Sequence, residues 1–171
     1  MFFLCLFTIV SVLWQEDFTE GPATMNQLYN YTVNISHEDG KIFLKADPES
    51  EDFSAAWFYV DEDVAFTDED VLELITRVKN SEVRLGYFYR KAGENEYYTG
   101  VQIIFPDAEY QKVELPFVEA RPLYGIEYPA TLTPGKNPCL YIFISSDLPG
   151  SFDVEIDWIS VFRPESFEEE K

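Results

Sequence analysis

The chain has 171 residues, enough for one domain whose core buries about two-thirds of the unfolded surface. Hydrophobic residues make up 46% and aromatic residues 17% of the chain, which excludes a disordered protein. The formal net charge of −20 argues against nucleic acid and anionic lipid as partners, because a field of this sign repels polyanions. Cations and uncharged ligands remain compatible with it.

The N-terminal stretch MFFLCLFTIVSVLW, residues 1–14, is apolar and carries no charge. It is too short for a membrane span but matches the apolar part of a secretory signal, which predicts a secreted or cell-surface protein. The positive residues and the cleavage site of a typical signal are absent, so an apolar first strand is the alternative. We therefore divide the chain into this segment, a β-sandwich domain at 15–164 without membrane insertion, and an acidic tail at 165–171.

The rest of the chain reads as short strands separated by turn residues. Asp39-Gly40 is a typical hairpin dipeptide, and Ala92-Gly93 marks a second hairpin loop. The Pro-rich stretch 118–138 is long enough to predict a binding loop. Strands or strand pairs are predicted over residues 15–22, 28–47, 55–63, 82–93, 96–106, 110–117, 139–147 and 152–162.

Two segments decide which side chains face the core. Residues 55–63 predict a strand with Phe58 facing inward and Trp57 facing away. Residues 68–79, DEDVLELITRVK, fit either an N-capped helix or a strand with Leu74 facing inward. The surrounding strands favour the strand.

The last predicted strand, SFDVEIDWISVF, alternates between apolar and acidic residues. One predicted face carries Phe152, Val154, Ile156 and Trp158, and the other carries Asp153, Glu155 and Asp157. Like charges two residues apart on a strand repel each other, so a cation or solvent is expected to take up the charge.

About eight to ten strands and no sustained helix predict an all-β fold of two antiparallel sheets packed face to face. Four segments, EDFTEG, DGKIFLKAD, YQKVELPF and SFDVEIDWISVF, resemble in order and spacing the carbohydrate-binding modules of the galactose-binding-like jelly-roll type. The resemblance covers residues 15–164. It implies a jelly-roll β-sandwich that binds a polysaccharide or oligosaccharide without catalysis, alone or with a glycoside hydrolase or surface complex.

The resemblance also implies a structural calcium ion where the first strand meets the last. The residues at the matching positions are Asp17, Glu20 and Asp157. Carboxylate oxygens are ligands that calcium prefers. For Asp157 the alternative is a buried hydrogen bond, and Asp153 and Glu155 are expected to face solvent.

A sugar-binding surface needs flat aromatic faces for the pyranose rings and planar side chains that hydrogen-bond the hydroxyl groups. If Phe58, Leu74 and Val101 face inward, the outer face of the middle strands offers both. The predicted ligand-binding residues are Trp57, Tyr59, Arg77, Arg84, Tyr98 and Gln102. An alternative site at the loop edge would use Tyr124, Tyr128 and Trp158.

Two other functions fit the same fold. A protein-interaction or surface-assembly sandwich would present a flat apolar patch without polar partners. A small jelly-roll glycosidase would need two flanking carboxylates, for which Glu119 and Glu127 are candidates. Carboxylates are abundant throughout this chain, so such a pair arises by chance. A single histidine, His37, and two cysteines argue against zinc chemistry and His-based triads.

Overall fold

The computed structural model describes residues 10–19, 28–31, 33–47, 49, 54–60, 64–123, 138–148 and 150–165. These residues form twelve strands and one turn of 3-10 helix at Phe117–Glu119. The strands are β1 (Val10–Glu16), β2 (Leu28–Tyr31), β3 (Val33–Glu38), β4 (Lys41–Ala46), β5 (Ser54–Val60), β6 (Val71–Val78), β7 (Val83–Arg90), β8 (Tyr97–Ile104), β9 (Gln111–Pro116), β10 (Arg121–Pro122), β11 (Leu140–Ser146) and β12 (Asp153–Pro164).

The strands form two antiparallel sheets of six strands each, which confirms the all-β jelly-roll sandwich. Sheet 1 has the order β3-β4-β12-β6-β9, and β1 also pairs with β12. Sheet 2 has the order β10-β8-β7-β11-β5-β2. In sheet 1 the long strand β12 pairs with β4 along its first half and with β1 along its second half.

The inner faces of the two sheets enclose one hydrophobic core. Sheet 2 contributes Phe58 and Ile142, and sheet 1 contributes Leu74 and Ile156, all fully buried. Burial of such apolar side chains is the main favourable term in folding. The segment with helical and strand alternatives is strand β6, whose inward residues alternate along its whole length as the strand prediction requires.

The register of β12 corrects the predicted alternation of the last strand. The pairing of β12 with β6 shifts between Ile156 and Trp158, so that Trp158 lies opposite Ile75 and Ile159 lies opposite Leu74. Trp158 is therefore on the outer face of sheet 1 and not on the face of Ile156. The extra residue of a β-bulge reverses the alternation, and the stretch Trp-Ile-Ser-Val has apolar residues in both phases, so its pattern does not reveal the reversal.

The phase of β8 is also opposite to the prediction. Val101, expected to face the core, is 54% exposed and lies opposite Gly86. Tyr98 and Gln102 share the inner side of the strand, because they pair with the core residues Tyr89 and Leu85. The sequence YYTGVQII contains apolar residues in both phases, so its pattern does not choose between them.

Strand β1 begins at Val10, within the stretch that the sequence assigns to an apolar N-terminal segment. Removal of residues 1–14 as a signal stays a prediction. None of the described residues belongs to a helix long and apolar enough to cross a membrane.

Candidate functional site

The outer face of sheet 2 carries a cluster of aromatic side chains, separate from the core. Strands β5, β7 and β11 carry aromatic side chains on the outward face in addition to the core residues on the inward face, and these outward aromatic residues form a second hydrophobic cluster. We call Trp57, Phe88 and Phe143 the aromatic platform. They come from three adjacent strands, one residue from each.

The three rings of the aromatic platform lie side by side. The ring centroids of Trp57 and Phe143 are 4.9 Å apart, and those of Phe88 and Phe143 are 5.1 Å apart. Trp57 and Phe88 are 5.8 Å apart with their planes only 17° from parallel. Trp57 and Phe143 are half-buried, so part of each ring reaches solvent. The arrangement provides adjacent apolar surfaces of the kind that stack on sugar rings.

Gly86 makes room for the aromatic platform. It lies opposite Phe143 in the register of β7 and β11, and any Cβ at this position would overlap the Phe143 ring. The ring therefore lies over the backbone of β7, close to the sheet. A larger residue at Gly86 would push Phe143 away from Trp57.

A row of tyrosines continues the cluster along the sheet. Tyr59 and Tyr141 are buried with ring centroids 6.2 Å apart, and Tyr97 packs on Tyr141 at 5.9 Å. The Tyr97 hydroxyl donates a hydrogen bond of 2.6 Å to the carbonyl of Pro138. Burial raises the pKa of the Tyr97 phenol, so it stays protonated near neutral pH. These tyrosines are largely buried, so they pack beside the aromatic platform and offer little exposed surface to a ligand.

Polar groups lie beside the aromatic platform on the same face. Arg84 Nη1 donates a hydrogen bond of 3.0 Å to Asp147 Oδ1, and both side chains are largely exposed. Arg84 and Ser145 line a groove of about 260 Å³ that also contains Asp147 and Ile103. Guanidinium, carboxylate and hydroxyl groups can together donate and accept the hydrogen bonds that a sugar offers.

The six predicted ligand-binding residues do not form one surface. Trp57, Tyr59 and Arg84 lie on the outer face of sheet 2, as predicted. Tyr98 and Gln102 lie on the inner side of β8, where Tyr98 packs on Tyr89 and its hydroxyl donates to Glu94. Arg77 lies on the outer face of sheet 1, where it pairs with Glu155. The prediction of a single face was wrong because it assumed the reverse phase for β8 and treated both sheets as one.

The sequence prediction missed Phe88 and Phe143. Both belong to strands, LGYFYR and LYIFISS, in which consecutive residues are apolar. Such runs indicate a strand buried on both faces. These apolar runs therefore indicated that aromatic residues of both strands also pack on the face away from the core. The sequence prediction did not use this indication.

Of the three predicted metal ligands, Asp17 follows strand β1 and Asp157 lies in strand β12, which pairs with β1. The Asp17 carboxylate accepts hydrogen bonds from the backbone and hydroxyl of Thr19. The Asp157 carboxylate lies 3.6 Å from Lys41 Nζ. Glu20 lies outside the described residues. Within the part of the chain that the structure describes, no three acidic, His or Cys side chains converge as metal ligands.

Calcium takes six to eight oxygen ligands. Asp17 and Asp157 by themselves do not fit such an ion, and Asp157 already faces a lysine. Calcium at this junction stays a prediction from the resemblance.

Two alternatives from the sequence fall largely outside the described residues. Tyr124 and Tyr128 of the loop-edge site are not described, and Trp158 lies on the outer face of sheet 1. Of the two candidate glycosidase carboxylates, Glu119 is exposed at the end of the 3-10 helix and Glu127 is not described.

No family model and no curated protein matches the chain. Solved structures of carbohydrate-binding modules of family 29 do match it. A mutant of such a module has a TM-score of 0.53 and 14% identity, covering 92% of each chain. A mutant module complexed with mannohexaose has the same values. A mutant complexed with cellulohexaose has a TM-score of 0.52 and 12% identity, again over 92% of each chain.

At this level of identity the likeness concerns the fold. The chain has the jelly-roll fold of carbohydrate-binding modules over nearly its whole length, as the resemblance predicted. Fold alone does not define a function, so the function is argued below from the surface.

Proposed function

We propose that this protein binds an oligosaccharide or polysaccharide non-catalytically on the outer face of sheet 2. The observation that carries the proposal is the aromatic platform, in which the rings of Trp57 and Phe143 are partly exposed on the outer face of the sheet and Phe88 is buried beside them. Aromatic rings stack on the C–H faces of sugars, and the neighbouring Arg84–Asp147 pair supplies hydrogen-bonding groups. Structural neighbours complexed with mannohexaose and cellulohexaose support this class of ligand.

Charge supports a neutral glycan over other polymers. The net charge of −20 repels polyanions over the whole surface. It imposes no such penalty on an uncharged polysaccharide. Export, a structural calcium ion and a partnership with a glycoside hydrolase or surface complex are further proposals that rest on the sequence and the resemblance.

Affinity electrophoresis of the full chain tests the proposal. Native gels would contain soluble β-glucan, mannan, xylan or galactan, and the chain would be compared with Trp57→Ala. We expect one of these polysaccharides to retard the chain. Loss of the Trp57 ring should weaken this binding at least about tenfold, because a central aromatic side chain often contributes more than 1.4 kcal/mol.

Trp158→Ala is the matched control, because Trp158 is also half-buried but lies on the outer face of sheet 1. Retardation should persist in this variant, and thermal unfolding would show that both variants are folded. Loss of binding in Trp158→Ala alone would move the site to sheet 1. No retardation by any polysaccharide would contradict the proposal.

A protein-interaction role is the second candidate function. The specific observation in its favour is a strip of exposed apolar side chains at Val101, Ile103 and Phe105. Large exposed apolar groups that lie together often mark a protein interface. Val101 and Ile103 of this strip lie on the same outer face of sheet 2 as the aromatic platform, on the neighbouring strand β8.

A further inference from the structure

The groove beside the aromatic platform has one apolar wall. Ile103 of β8 and Leu148, which follows β11, line the groove, and their side chains are 48% and 53% exposed. A ligand that covers them gains the free energy of removing apolar surface from water. The hydroxyl group of a plain sugar has no apolar part, and it would lose hydrogen bonds to water if it faced this wall.

The other side of the groove is polar and carries both donors and acceptors. Arg84 Nη1 and Nη2 each face one carboxylate oxygen of Asp147. A guanidinium has more N–H groups, and a carboxylate more acceptor positions, than such a pair uses. Ser145 adds a hydroxyl group and Glu82 a second carboxylate. Since the groove has two carboxylates and one guanidinium, it disfavours sugars that carry an anionic group.

The strand register places this groove next to the aromatic platform. Ser145 pairs with Arg84, and two residues along the same strands Phe143 pairs with Gly86. Side chains two residues apart on a strand share a face and are separated by about 7 Å. A substituent of a sugar that stacks on the platform can therefore reach the groove. The groove volume of about 260 Å³ has room for such a group.

We propose that this groove binds the acetamido group of a 2-acetamido sugar, such as N-acetylglucosamine, within the glycan that the platform holds. An acetamido group is uncharged and combines a methyl group, a carbonyl acceptor and an N–H donor. The methyl group covers Ile103 and Leu148. The carbonyl accepts a hydrogen bond from Arg84, and the N–H donates to Asp147. The inference rests on the proposed function and names the class of sugar for the same site.

Calorimetric titration of the full chain with two tetrasaccharides tests the inference. The β-1,4-linked tetramers of N-acetylglucosamine and of glucose differ only in the acetamido or hydroxyl group at C2. We expect the acetamido tetramer to bind at least about fivefold more tightly, because covering a methyl group and forming an additional hydrogen bond each strengthen binding several-fold. The preference should persist at high salt, because the acetamido group carries no charge.

Leu148→Ser and Ile103→Ser remove the apolar wall. Each should reduce the preference for the acetamido tetramer to less than about twofold and leave the affinity for the glucose tetramer unchanged. Val118→Ser is the matched control, because Val118 is 72% exposed on the 3-10 helix and does not line the groove. It should keep the preference. Thermal unfolding would show that all three variants are folded.

The outcomes separate this inference from the proposed function. Equal affinities for the two tetramers would overturn the acetamido site and leave glycan binding intact, as would binding of neither tetramer by a chain that a polysaccharide retards in gels. An equal loss of preference in Leu148→Ser and Val118→Ser would also overturn it. If no glycan binds at all, the proposed function fails and the inference fails with it.

Discussion

At the scale of single residues, the carboxylates of strand β12 pair with basic side chains of neighbouring strands. The Glu155 side chain is buried and pairs with Arg77 and Lys79, and Tyr110 Oη donates to it at 2.9 Å. Asp157 pairs with Lys41. The charges that the alternation places on one side of the strand are thus balanced within sheet 1. Arg77, predicted as a sugar ligand, has this structural role.

The Glu155 network predicts a pH-dependent stability. Burial raises the pKa of Glu155, but hydrogen bonds from Lys79, Tyr110 and Arg77 more than offset this and hold the pKa below its usual value. A carboxyl group with a lowered folded-state pKa contributes stability above its unfolded pKa, about 4.3, and loses it as pH falls through the folded value. We expect Glu155→Gln to lower the free energy of unfolding by about 3 kcal/mol at neutral pH.

Urea unfolding at a series of pH values measures this effect. The difference between the chain and Glu155→Gln should shrink below about pH 4. Glu114→Gln is the control, because Glu114 pairs with Lys112 but is largely exposed and should change stability by less than about 1 kcal/mol. Equal effects of the two substitutions would show that the Glu155 network contributes nothing beyond a surface ion pair.

At the scale of elements, β12 organises sheet 1. It is paired on both sides, with β6 on one and with β4 and then β1 on the other. The bulge at Asp157 lies between the β4-paired and β1-paired halves, and it turns Trp158 to the outer face. Strand β1 inserts Trp14 into the core opposite Val161. The domain boundary at residue 15 therefore cuts through a strand.

A chain that begins at Gln15 should be much less stable than the full chain. It would lose the Trp14 side chain, only 8% exposed, and most of the pairing between β1 and β12. Loss of a buried Trp alone costs about 3–5 kcal/mol. Thermal unfolding measures the difference, with Val12→Ala as a control of about 0.5 kcal/mol or less because Val12 is exposed. Equal stability of the shortened and full chains would show that β1 is dispensable.

At the scale of the whole molecule, the net charge of −20 favours cations such as calcium but does not indicate where a calcium ion would bind. Of the three predicted calcium ligands, the described part of the β1–β12 junction contains Asp17 and Asp157, and Asp157 faces Lys41. If the proposed calcium ion binds there, calcium should raise the thermal unfolding midpoint and chelator should lower it, because a ligand that binds the folded state stabilises it. An unchanged midpoint would contradict the calcium proposal. A rise with calcium that is absent in Asp157→Asn would support the calcium site that the resemblance implies. Asp107→Asn, at an exposed aspartate, would be the matched control.

How well the sequence predicts the face that each side chain occupies depends on whether a strand is apolar in one phase or in both. In β6 the outward phase carries Glu73 and Arg77, so Leu74 was placed correctly; Phe58 was also placed correctly, although both phases of β5 are apolar. In β8 and the second half of β12 both phases are apolar, and the pattern is ambiguous. Those two strands account for the wrong faces of Tyr98, Gln102 and Trp158.

By itself, the sequence determined the all-β sandwich and the approximate strand positions, because strand period and turn residues are local properties. Only the tertiary structure decided which aromatic residues meet on the outer face of sheet 2. Trp57, Phe88 and Phe143 are far apart in the chain and become neighbours through the register of β5, β11 and β7. Register depends on bulges and on packing against the opposite sheet, and the alternation of a single strand predicts neither of them.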